Sequence, residues 1–277
     1  MKRLILFLPL FLFISCGNDK LKKVETLDSF RVLAIESADT GGIATPELTQ
    51  GVGLSVKARA FISDVNGGGR IVSAVVDGCI DPGISLGAEV TCEGNPSKVS
   101  ASYSVDTSTL PNLNSGWGGY SAALAIPNSI FIGRSEREKY NGVPYIIIFN
   151  FSVDNTVIKS FKRILITNRT TLNSNPTLTA FLLNNSTLAK PNLNDYLSAS
   201  FSGSENYNFI LADNTVENRN ETLTMAWYVS SGELNISKAS ASESVQYKSS
   251  PPSSSLLIIG VLRDERGGVA VYQNLLL

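Results

Sequence analysis

Apolar and polar residues alternate along most of this chain with a period of two, the pattern of strands covered on one face. In residues 30–35 (FRVLAI), Phe30, Val32 and Ala34 alternate with Arg31, Leu33 and Ile35 and predict a first strand. In residues 52–62, Leu54, Val56, Ala58 and Ala60 fall on one face, and Ser55, Lys57 and Arg59 on the other. Residues 71–76 (IVSAVV) return after the turn DVNGGGR, whose Asn-Gly step accepts positive φ, so this pair predicts a hairpin. Residues 99–105 and 120–126 are further strands. Residues 143–153 (VPYIIIFNFSV) and 157–167 (VIKSFKRILIT) predict the strongest hairpin, turning at Asp154-Asn155. Beyond the polar stretch 168–176, short strands are predicted at 177–183, 197–201, 207–212 and 223–229. In the last of these, Leu223, Met225, Trp227 and Val229 share a face. Residues 256–262 (LLIIGVL) are apolar on both faces, as a central sandwich strand is. The charged turn 263–268 then leads to a returning strand at 269–276. The spacing Ser135…Glu138 is that of a capping box and predicts a single helical turn. No long stretch has a 3.6-residue apolar period. Strands recurring every ~8–15 residues are expected of antiparallel sandwiches.

The N-terminus breaks this pattern. Lys2 and Arg3 precede an unbroken apolar run from Leu4 to Ile14, too short to span a bilayer as a helix and suited to a secretory h-region. Ser15, Cys16 and the polar GNDK follow. The stretch Phe13-Ile14-Ser15-Cys16 resembles a lipobox, and the leader resembles that of bacterial lipoproteins, with Phe13 where the family usually has Leu. The resemblance implies a signal peptide over 1–15, acylation of Cys16, and a chain moored to a membrane by its N-terminal lipid. The other reading is an ordinary signal peptide, with Cys16 lost or incidental. Gly17 and Asn18 lack the Asp beside Cys that commonly marks inner-membrane retention. By the same resemblance the expected location is the bacterial outer membrane, on its periplasmic side or at the cell surface. Residues 16–27, polar and charged, read as a tether.

Composition narrows the chemistry. The chain has 277 residues, 43% hydrophobic and 17% charged, with 23 Lys plus Arg against 24 Asp plus Glu. It can bury one large or two modest cores, and it has no basic surplus of the kind nucleic-acid binding requires. It has no histidine, which removes His-ligated metals and Ser-His or Cys-His catalysis within the chain. If Cys16 carries lipid, Cys79 and Cys92 remain. Export places them in an oxidising compartment, where a disulfide is the expected fate and two buried free thiols the alternative.

Three stretches together resemble secreted bacterial lipoproteins built of tandem immunoglobulin-like or PKD-like modules: LDSFRVLAI at 27–35, TMAWYV at 224–229, and VLRDERGGV at 261–269. The likeness is best over 176–277. It implies an all-β fold of two antiparallel β-sandwich (Ig-like) domains in series after the lipoprotein signal peptide, the first over 28–170 and the second over 176–277. Trp227 is then a core anchor. Asp264 accepts backbone N–H bonds in its turn; as a calcium ligand beside Glu265 it would lack the six or more oxygens that calcium takes.

The remaining motifs carry little chemistry. Gly83-Ile84-Ser85-Leu86-Gly87 matches G-x-S-x-G but has no histidine base, and Lys98 or Lys57 would have to serve instead. Gly67-Gly68-Gly69 lacks a phosphate-loop frame. Trp117 and Tyr120, on the glycine-rich SGWGGY stretch, are the candidate binding residues; such a Trp more often folds over the edge of the core. No cofactor and no metal are expected. The expected role is a non-catalytic envelope protein contacting protein or glycan through its loops. The competing reading is a histidine-independent hydrolase with a carboxylate or Ser-Lys site, and a third is a structural spacer.

Overall fold

The computed structural model describes residues 26, 27, 29–51, 53–65, 67–83, 89–107 and 118–277. Cys16, Ser85 and Trp117 lie outside them.

Two sheets enclose the first core. One has the order β1–β3–β6 and is made of β1 (Arg31–Ala38), β3 (Ser55–Ser63) and β6 (Leu124–Ala125). The other has the order β2–β8–β7–β4–β5. Its strands are β2 (Glu47–Thr49), β4 (Ile71–Ile80), β5 (Val99–Asp106), β7 (Val143–Val153) and β8 (Thr156–Thr167). Val56, Ala58, Ala60 and Ile62 of β3 meet Val72, Ala74 and Val76 of β4 and Tyr145, Ile147, Phe149 and Phe151 of β7 in one buried cluster. The β7–β8 hairpin forms as predicted, with Asp154 and Asn155 at φ 48° and 61°. The helical turn forms too: α1 (Glu136–Asn141) carries both arms of the Ser135/Glu138 capping box.

The predicted hairpin of residues 52–62 and 71–76 does not form. β3 pairs with β1 and β6, whereas β4 pairs with β5 and β7. The chain therefore passes from one sheet to the other between Ser63 and Ile71, across the ~10 Å between packed sheets. Arg70 ties it down, donating to Asp64 at 2.9 Å and to Asp154 at 2.5 Å. Alternation reports only which side chains face the core, and a hairpin and an arch satisfy it equally. The strand predicted at 120–126 shrinks to β6.

The second core lies between sheets β10–β9–β11–β16 and β15–β14–β17–β18. The first comprises β9 (Thr177–Leu183), β10 (Ser186–Thr187), β11 (Tyr196–Ser202) and β16 (Val245–Gln246). The second comprises β14 (Thr224–Val229), β15 (Lys238–Ser240), β17 (Leu256–Arg263) and β18 (Val269–Leu276). Met225, Trp227 and Val229 face this core, as their spacing predicts. Gly260 lies opposite Trp227 in the β14–β17 pairing. A Cβ there would sit 2.7 Å from the Phe181 ring, so the glycine makes room for that ring in the middle of an apolar strand. A separate hairpin, β12 (Asn206–Ile210) with β13 (Val216–Asn220), stands outside both sheets. β13 (VENRN) has no apolar alternation, and the sequence does not announce it.

β17 is buried on both faces for different reasons. Leu256, Ile258 and Leu262 enter the second core, whereas Leu257, Ile259 and Val261 pack with Leu33, Ala34 and Phe61 from β1 and β3. Leu27, at the end of the segment read as a tether, joins this contact and donates its N–H to Val229 O at 3.0 Å. Thr26 bridges Val229 in parallel. The β2–β8 pair is also parallel, an exception to the predicted antiparallel pairing.

Cys79 and Cys92 form a disulfide. Together with Val90 they cover Ile146 and Ile148 on the outer side of the five-stranded sheet. Replacing both cysteines with serine is expected to cost about 3 kcal/mol in urea unfolding, by the loop entropy of a ~14-residue closure. An unchanged midpoint would show that the loop is held by its hydrogen bonds alone.

Candidate functional site

Where the two sandwiches meet, charged side chains from distant segments are buried together. Arg266 stands at the centre, in the turn between β17 and β18. That turn is shaped by Asp264, whose Oδ1 accepts N–H bonds from Arg266 at 2.9 Å and Gly268 at 2.6 Å. A Cβ at residue 268 would lie 2.0 Å from Asp264 Oδ2, so the turn needs glycine there. Asp264 Oδ2 in turn accepts from Asn173 Nδ2 at 3.1 Å. Both oxygens are engaged, and Asp264 serves the turn as its sequence position predicts.

The Arg266 guanidinium donates to Glu221 at 2.6 Å, Glu205 at 3.0 Å and Asn173 Oδ1 at 2.9 Å, and lies 4.5 Å over the Tyr207 ring. Across the seam, Glu47 Oε1 is 3.6 Å from Arg266 and 3.7 Å from Arg169. Glu47 Oε2 accepts the Asn173 N–H at 2.8 Å. Arg169 is anchored on the carbonyls of Tyr140 and Asn141, at 2.7 and 3.0 Å. The Glu47 and Glu221 side chains are 0% exposed. Burial holds the Glu221 carboxyl above the usual carboxylate range in spite of Arg266. Asn141 fastens the outlying hairpin by exchanging two hydrogen bonds with Ile210, at 2.8 and 2.9 Å. Segment 168–176 is polar in sequence, yet Arg169 and Asn173 within it are buried.

Beside this network a cleft of about 740 Å³ opens between the sandwiches, lined in part by Glu36, Arg59, Phe61, Leu172, Asn175 and Leu178. Tyr120 stands behind its wall. Its hydroxyl donates to Glu36 Oε2 at 2.6 Å, Arg59 Nε donates to the same oxygen at 2.7 Å, and the Arg59 guanidinium lies 5.0 Å over the Tyr120 ring. Burial and Glu36 together hold the phenol well above its ordinary range. Tyr120 is thus half-buried and engaged, and it lines a separate groove of about 490 Å³ with Ser73, Ser102 and Tyr103.

A second groove of about 360 Å³ lies along the seam, lined in part by Lys162, Arg263 and Asp264. Lys162 donates to Gly267 O at 2.5 Å, and Arg263 donates to Leu33 O at 2.5 Å. Burial lowers the Lys162 amine to about 8; Asp264 and Glu36 pull it up, and Arg263 pushes it down. The unfolded chain therefore holds the proton more tightly. Lys162→Met is expected to be more stable than wild type at pH 7, with an advantage that shrinks as pH rises from about 8 towards 10.5. Paired denaturant titrations across that range check this, and a gap independent of pH contradicts it.

Of the motif residues weighed for catalysis, Lys98 is paired with Glu93 at 2.7 Å, which raises its pKa, opposite to the need of a general base. Among the described residues no three acidic or thiol side chains gather as metal ligands.

No sequence signal foretold the Glu47–Arg169–Arg266–Glu221 assembly. Its members come from four separate segments, and only the fold brings them together.

No protein-family model matches the chain, and no curated protein does. Among solved structures, a red sea bream transglutaminase superposes with a TM-score of 0.27 at 10% identity, over 87% of this chain and 31% of that one. This chain thus spans under a third of the transglutaminase. The fibronectin(III)-like modules of Clostridium thermocellum CbhA superpose with a TM-score of 0.25 at 13% identity, over 87% of this chain and 91% of theirs.

Proposed function

We propose that the protein is a lipid-anchored envelope component whose two sandwiches, 28–170 and 176–277, bind or space other envelope molecules without catalysing a reaction. The observation that carries the non-catalytic reading is the state of the acids at the seam. Glu47, Glu221 and Asp264 are buried and held by guanidinium groups or N–H bonds. Glu36 is bonded by Arg59 and Tyr120. A glycosidase-like pair needs two carboxyls that face a substrate across an open cleft. Here the acids face arginines, and their work is to hold one sandwich against the other. The cleft over Arg59 and Phe61 mixes apolar and hydrogen-bonding groups and suits a glycan or an extended protein segment.

The anchor reading rests on the leader and on Cys16. Residues 16–26 would separate the lipid from Leu27, a reach of at most ~35 Å at about 3.3 Å per residue. The sandwiches would therefore hang close to the bilayer, with the outer membrane as the expected home. Intact-mass analysis of the membrane fraction tests this. The expected mass is that of a chain starting at Cys16, with added acyl groups and two hydrogens fewer for Cys79–Cys92, and Cys16→Ser is expected to abolish acylation. A full-length cytosolic product that keeps its leader would refute the anchor.

A further inference from the structure

Lys162 stands on the core-facing side of β8. Its cross-strand partner is Ile147, and Ile164 and Ile166 on the same face are buried in the first core. Strand alternation calls for an apolar residue at 162, and the chain places an ammonium there. An ammonium carries three donors, and Gly267 O takes one. That carbonyl satisfies a hydrogen bond without cancelling a charge. Arg263 adds a second cation to the groove, and Asp264 also lines it. The carboxylates close at hand hold their hydrogen bonds elsewhere: Asp264 accepts from backbone N–H groups and Asn173, and Glu36 from Arg59 and Tyr120. Asp264 and Glu36 act on the Lys162 charge from beyond ion-pair distance, and burial outweighs them. A cation withdrawn from water without a close ion pair is costly, and the cost is recovered when an anion enters.

We infer that this groove between β1, β8 and the β17–β18 turn binds an oxyanion, carried on a ligand the size of a sugar phosphate or a sugar acid. Lys162 is the central contact, and Arg263 flanks it. The groove's 360 Å³ suits a ligand of that size. The lowered basicity of Lys162 is what a buried site waiting for an anion shows, and occupancy would reverse it. The inference deepens the binding reading above and does not depend on the lipid anchor.

The test uses the full mature chain in detergent, melted in sodium phosphate, in sodium glucuronate, and in sodium chloride matched for ionic strength. Phosphate or glucuronate is expected to raise the midpoint saturably above chloride. A response to phosphate alone assigns a phosphoryl group, and a response to glucuronate alone assigns a sugar acid. Lys162→Met is expected to melt above wild type in chloride and to lose the increment. Independently of any variant, NMR of 15N-labelled lysine side chains is expected to show the Lys162 pKa moving upward when the effective anion is added. The site is overturned if both anions behave as chloride does, if the increment survives in Lys162→Met, or if the Lys162 resonance does not move. None of these outcomes bears on the acyl mass at Cys16, so failure here and failure of the anchor are read separately.

Discussion

Replacing Arg266 with methionine is expected to cost about 3–5 kcal/mol of folding stability at neutral pH, the usual penalty for removing one partner from a buried charge network. Methionine keeps much of the side chain's length and removes its charge and five donors. Glu221 and Glu47, both 0% exposed at the side chain, and Glu205 then lose their guanidinium. Glu221 is already held above its ordinary range by burial, and the variant should push it higher. A carboxyl whose folded pKa is raised opposes folding above that pKa and stops doing so once protonated. The gap between wild type and Arg266→Met should therefore narrow as pH falls from 7 towards 4. Urea unfolding at several pH values reads both effects, and a gap that is small at pH 7 or constant with pH would show that the network is not what closes the seam. Adding Glu221→Leu to the variant is expected to recover part of the loss, because the orphaned charge is then gone.

Trp227→Ala is expected to cost about 3–5 kcal/mol, and Trp227→Phe markedly less. The indole is 1% exposed and lies 4.9 Å from the Phe181 ring, which itself packs 4.9 Å from Tyr272. Truncation to alanine removes the largest side chain of the second core and leaves Phe181 packed on Tyr272 with a void on its other side. Phenylalanine keeps most of that contact. It also removes a buried Nε1–H that has no acceptor, which offsets part of the lost volume. Thermal unfolding with near-ultraviolet dichroism checks the order. Equal losses in the two variants would mean that the indole N–H is bonded and that its loss matters as much as the packing.

The elements that survived the passage from sequence to structure are those decided by local or cross-strand chemistry. The β7–β8 hairpin follows from two β-rich runs flanking Asp154-Asn155, residues that accept positive φ. The turn at Asp264 follows from a short carboxylate placed to receive nearby N–H groups, with glycines where a Cβ cannot fit. The face carrying Met225, Trp227 and Val229 follows from the period of two. Where the outcome depended on which partner a strand meets, the sequence was mute. β3 and β4 have the alternation of a hairpin and belong to opposite sheets. The two apolar faces of β17 reflect a neighbouring sandwich as well as its own core.

The candidate site divides in the same way. The amino-acid order by itself determined that the chain is nearly all β, that it has no histidine, that two cysteines stand at a spacing a disulfide can close, and that an unbroken apolar run precedes Cys16. Only the tertiary structure brought Glu47, Arg169, Glu221 and Arg266 together and set Lys162 beside Arg263 in a groove along the seam. The reason is physical. Backbone preference and apolar period act over a few residues and can be read along the chain. The energy of a buried charge depends on what surrounds it in space, and those neighbours are supplied by segments from 45 to 126 or more residues away along the chain.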